Sequence, residues 1–130
     1  MPAEFEIVFA RLKEILQKHS GGFTVKPDTN DAFGFYARIG PVTKKIRKGK
    51  LKSLLMPVVW VEIGKAYVSY HLMPVYMNPK LQSTMSQELK ARMQGKSCFN
   101  FKKIDEKLFR ELDALTAKGI DAFKKMGYIL

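Results

Sequence analysis

The sequence predicts an α+β domain, a mostly antiparallel sheet of about five strands with helices packed on one face. Three observations carry this. Residues 58–76, VVWVEIGKAYVSYHLMPVY, alternate in character on both sides of Gly64-Lys65, as a hairpin does. Both ends of the chain place apolar residues at helical spacing. Between them lie short segments bounded by Gly, Pro, Asn and Asp.

The spacing predicts a first helix over Ala3–His19, with Phe5, Val8, Phe9, Leu12, Ile15 and Leu16 on one stripe. Gly21-Gly22 ends it. Phe23 to Lys26 reads as a strand stopped by Pro27, and Asp28 to Asp31 as a turn. Phe33 to Ile39 alternates and reads as the second strand, ended by Gly40-Pro41. Lys44 to Lys52 holds a dense run of bases with no acid, which suits an exposed loop or a frayed strand edge.

In the hairpin, a two-residue loop at Gly64-Lys65 pairs Ile63 with Ala66, Val61 with Val68 and Val59 with Tyr70. One face then carries Val59, Val61, Ile63, Ala66, Val68, Tyr70 and Leu72, and lies against helices. The other carries Val58, Trp60, Glu62, Tyr67, Ser69 and His71. Asn78-Pro79 opens a further helix, with Leu81, Met85, Leu89 and Met93 repeating every four residues and a break expected over Ser83 to Ser86. Cys98 to Phe101 is a last strand. Asp105 caps a final helix whose inner face holds Leu108, Leu112, Leu115, Ala122, Phe123 and Met126, with Gly119 on the same side.

A length of 130 residues suits one domain over 1–130. One cysteine, Cys98, leaves no internal disulfide and no cysteine-based zinc site. The acidic start MPAEFEIVFARLKE is unlike a signal peptide, and the apolar run 54–61 is too short to span a bilayer. The expectation is a cytoplasmic protein without a membrane partner, as monomer or homodimer. Lysine and arginine number 23 against 12 acids, a net +11. Such a chain attracts polyanions or anionic small molecules, or is simply well solvated.

The element order, the hairpin with Pro57-Val58-Val59-Trp60 and Tyr67-Val68-Ser69-Tyr70-His71, Gly95-Lys96 before a Phe-x-Phe strand, and the acid-capped last helix resemble the YdhG-like bacterial family, domain of unknown function 1801. The resemblance covers roughly Leu54 to Met126. It implies a small α/β sandwich related in shape to frataxin, an iron-handling protein, so iron handling is one functional alternative. It implies no catalytic residues. Frataxin-type iron binding uses an acidic ridge, whereas the first helix here mixes Glu4, Glu6 and Glu14 with Arg11, Lys13 and Lys18.

The residues themselves favour a non-enzymatic binding module. Trp60, Tyr67, Ser69 and His71, with Tyr36 and Arg38 from the neighbouring strand, form an aromatic cup with a cation, suited to a flat anionic small molecule. The rival is a nucleic-acid-associated protein that uses Lys44, Lys45, Arg47, Lys48, Lys50 and Lys52, joined by Lys90, Arg92, Lys96, Lys102 and Lys103. No spacing of His19 and His71 makes a metal motif, no phosphate-cradling glycine loop occurs, and no cofactor is implied. Ser69 and His71 share a face without a nucleophile elbow, and Cys98 reads as a buried inert thiol.

Overall fold

The computed structural model describes residues 3–47 and 54–130. Helix α1 (Ala3–His19) is followed by strands β1 (Thr24–Asp28) and β2 (Ala32–Arg38), helix α2 (Pro41–Arg47), and strands β3 (Leu55–Ile63) and β4 (Val68–Leu72). Then come α3 (Met73–Met77), a 3-10 turn (Pro79–Thr84), α4 (Gln87–Lys90), β5 (Met93–Gln94), β6 (Cys98–Phe101) and α5 (Glu106–Lys125). The six strands form one sheet in the order β1-β2-β3-β4-β6-β5, every pair antiparallel. The α+β class holds, with β5 added to the five strands expected.

Alternation decides which side of the sheet is core. Phe33, Phe35 and Ala37 of β2, Val59 and Val61 of β3, Val68, Tyr70 and Leu72 of β4, and Phe99 and Phe101 of β6 are all buried. The stripe expected for α1 is buried in full, as are Leu108, Leu112, Leu115 and Phe123 of α5. Met126, expected on that face, lies past the helix end and is exposed. Phe109 of α5 meets Phe101 edge-on at 5.0 Å, and Tyr70 Oη bonds Thr116 Oγ1 at 2.6 Å. Thr116 in turn donates to the Leu112 carbonyl at 2.7 Å, so this buried hydroxyl pair is satisfied. A Cβ at Gly119 would stand 2.9 Å from Pro74 Cβ, so this glycine lets α5 close on α3. Asp105 Oδ1 caps α5 by accepting from the Leu108 N–H at 3.1 Å.

Helices α1 and α5 run parallel. Arg11 bonds Glu106, while Lys18 Nζ and His19 Nε2 reach Asp113 at 3.0 and 2.7 Å. Burial alone would raise the Asp113 carboxyl, but the His19 and Lys18 contacts outweigh it and hold it below the usual carboxylate range. The chain end returns as well: Ile129 bridges Ile39, and Thr43 Oγ1 donates to the Tyr128 carbonyl at 2.7 Å.

Several expectations are corrected. The hairpin pairs Ile63 with Val68, Val61 with Tyr70 and Val59 with Leu72, two residues from the expected register. The Gly64 N–H donates to the Tyr67 carbonyl at 2.9 Å, so Lys65-Ala66 forms the tip and Ala66 is exposed. An even shift leaves the strand faces unchanged. Val58, expected on the far face, is buried: Phe35 pairs with Val59 and Tyr36 with Pro57, so Val58 is the extra residue of a β-bulge. Strand β1 continues through a cis Lys26–Pro27 bond, tolerated because an edge strand needs no N–H on its outer side. Lys44, Lys45 and Arg47 sit on helix α2 rather than in a loop. Lys48, Lys50 and Lys52 lie outside the described residues. The 3-10 turn and α4 split where expected, but Met93 belongs to β5.

Candidate functional site

The sheet face turned away from α1 and α5 collects the residues with chemistry. Trp60 pairs with His71 across β3 and β4, not with Ser69 as the expected register implied. Their rings stack, with centroids 4.7 Å apart and planes 12° from parallel. That separation equals the spacing of neighbouring strands, so each ring stands over its own strand and the two lie side by side. On the other side of Trp60 is Gly34 of β2. A Cβ there would lie 2.5 Å from Trp60 Cβ and 2.8 Å from the Val59 carbonyl oxygen. Glycine is therefore required, because Trp60 and the β3 backbone already fill the space a side chain would take, and a slot opens beside the indole. The slot has a volume of about 270 Å³ and is lined by Lys26, Pro27, Tyr36, Pro57, Trp60 and Glu62, with Phe35 and Val59 at its base.

Polar groups continue from His71 toward β5. His71 Nε2 lies 3.2 Å from Glu62 Oε1 and 4.0 Å from Cys98 Sγ. Burial holds the imidazole below its ordinary value, and the Glu62 charge recovers only part of that. At neutral pH the ring is uncharged and its Nε2–H donates to Glu62. Burial pushes the Cys98 thiol up, a hydrogen bond with Ser69 opposes this, and the Glu62 charge adds to it. Thiol and carboxylate address the same ring nitrogen, so His71 is not set to activate Cys98: a relay needs a different nitrogen for each partner.

Further along, Asn100 Oδ1 accepts from Ser69 Oγ at 2.9 Å and from Cys98 Sγ at 3.4 Å. Gln94 Oε1 accepts from Asn100 Nδ2 and from Tyr67 Oη, both at 2.8 Å. Both amide oxygens are saturated, and the N–H groups of the exposed Gln94 have no partner among the described residues. A second depression of about 440 Å³ opens here, lined by Tyr67, Arg92, Gln94, Asn100 and Lys102. It adjoins a third, of about 380 Å³, which shares Arg92 and Lys102 and adds Lys103 and Asp105.

Of the expected site residues, Trp60, Ser69, His71 and Tyr67 share this face, and Tyr36 borders the slot. Arg38 pairs with Leu55 at the far end of β2, four residues from Gly34, roughly 13 Å at the usual strand rise. Lys44 and Lys45 are exposed on α2, away from the slot lining. Sequence reasoning placed Lys26 on the first strand without giving it a role, and missed Pro27 because the expected strand stops at Lys26, two residues before β1 ends at Asp28. It also missed Gly34, whose signal is a strand glycine facing an aromatic residue across the ladder. Among the described residues, no three His, Cys, Asp or Glu side chains are placed to hold a metal ion, and no helix is long and apolar enough to cross a membrane. Comparison of the chain with protein-family models, curated proteins and solved structures gives no match.

Proposed function

We propose that this face of the sheet binds a flat anionic small molecule and is not a catalytic centre. The observation that carries the reading is the slot between β1 and β3, lined by Lys26, Pro27, Tyr36 and Pro57, with the indole of Trp60, backed by His71, as one wall. A planar ring laid in it buries apolar area against Trp60, Tyr36, Pro27 and Pro57. Lys26 offers the ligand's negative group a charge-assisted hydrogen bond. Glu62 leaves one carboxylate oxygen for a ring N–H or amino donor, which favours a heteroaromatic ring over a plain aryl acid.

Trp60 is the only tryptophan, so its emission reports the slot without mixing. Titration with a panel of aromatic carboxylates and mononucleotides is expected to shift or quench it saturably. Lys26→Gln is expected to weaken the anionic members about tenfold, the effect of a charged hydrogen bond, and to leave neutral analogues such as adenosine unchanged. A panel that leaves the emission unmoved would sink the reading.

A further inference from the structure

We propose that the natural ligand of this face is single-stranded nucleic acid, one base stacking on Trp60 while following phosphates pass over Arg92, Lys102 and Lys103. The inference rests on the slot reading above and goes beyond it, from a lone anionic ring to a base carried on a strand.

The charge distribution supports it. Helices α1 and α5 together carry eight bases against seven acids, whereas the other described residues carry twelve bases against five. Nearly all the positive excess therefore lies off the two long helices. Arg92, Lys102 and Lys103 make no ion pair among the described residues, unlike Arg11, Lys13 and Lys18 on α1. Unpaired cations lining two adjoining depressions leave a field that an extended polyanion satisfies.

The spacing argues for a chain rather than a compact ligand. Trp60 stands on β3 and Arg92 beside β5, three strand intervals away in the sheet order, roughly 14 Å. A single ring in the slot does not reach those bases. A strand of several nucleotides does, and it crosses Tyr67 and the unpartnered amide N–H groups of Gln94 on the way. An open antiparallel sheet with helices on one face and aromatic residues on the other is suited to unpaired bases, each offering a free ring face. A duplex hides those faces. Glu62 suits bases with an exocyclic amino group, which makes adenine a suitable probe.

The test titrates the intact protein with 5′-AMP, with octaadenylate as RNA and as DNA, and with a duplex of the same length, following Trp60 emission and repeating each titration over a salt series. The single strands are expected to bind at least tenfold tighter than 5′-AMP, to quench Trp60, and to exceed the duplex. Arg92→Gln/Lys102→Gln/Lys103→Gln, at exposed positions, should remove that excess and lower the single-strand salt slope by about two, at roughly 0.7 per phosphate contact. If 5′-AMP and octaadenylate bind equally and the triple variant changes nothing, the inference falls and the small-molecule reading stands. If neither moves Trp60, both fall. Duplex binding as tight as single-strand binding, or oligomer binding that leaves Trp60 untouched, overturns the stacking role and with it the inference.

Discussion

His71 is the residue whose environment makes the sharpest statement. Three influences meet on one ring: Trp60 covers a face, Glu62 accepts from Nε2, and the surrounding sheet removes water. Burial prevails over the neighbouring carboxylate, so the folded protein favours the neutral ring. The sign follows. A depressed histidine contributes stability that is fully present above its unfolded value of roughly 6.5 and is lost as pH falls through the lower folded value. Trp60 emission is therefore expected to stay level from pH 8 down to about 6.5 and to change only below it. His71→Phe, which keeps a stacked ring, should abolish the change. Proton NMR of the His71 ring gives the midpoint directly; a midpoint above 6.5 would mean that Glu62, not burial, governs this ring.

The hairpin β3–β4 shows what periodicity reveals and what it leaves open. The period-two pattern assigns Val59, Val61, Tyr70 and Leu72 to the core and Trp60, Glu62, Ser69 and His71 to the far side, as the structure has them. It is blind to an even slip. Gly64-Lys65 and Lys65-Ala66 are both acceptable tips, and the partner of Trp60 changes from Ser69 to His71 between them. The stacked pair, the centre of the candidate site, was therefore not legible although both its members were. The bulge at Val58 escaped for a related reason: an inserted residue shows only against its partner strand. The continuation of β1 through Pro27 to Asp28 escaped because proline stops a central strand but not an edge strand. Lys26, inside the expected strand, showed nothing of its place beside Trp60 until the strands were paired. The face assignment itself is open to test. Val61→Asp puts an unpaired charge where no solvent reaches and should unfold the protein or cost several kcal/mol. Glu62→Ala, one residue along and exposed, should stay within about 0.5 kcal/mol. Urea midpoints of the two variants decide, and equal tolerance would invert the faces.

Across the whole molecule, the sheet joins mostly sequence neighbours, whereas the two long helices join its ends. Strands β1 through β4 pair in chain order, and only β5 and β6 exchange places at the edge. Helix α1, made first, lies beside α5, made last, through Arg11 with Glu106 and Lys18 and His19 with Asp113. Closing a loop of that length costs more chain entropy than closing a hairpin, so these contacts belong late on the folding route. The Asp113 pairing then works as a latch on escape rather than a guide to entry. Asp113→Asn, which discharges a carboxylate serving two bases, should cost about 1.5 kcal/mol. In a denaturant chevron that loss should appear as a roughly tenfold faster unfolding arm with the folding arm nearly still, the pattern of an interaction absent from the transition state. A slowed folding arm would instead place α1 and α5 together in the nucleus. With the latch intact, the lifetime of the native state is set by how often the two helices part, so exposed side chains of the open face can vary their chemistry with little effect on that clock.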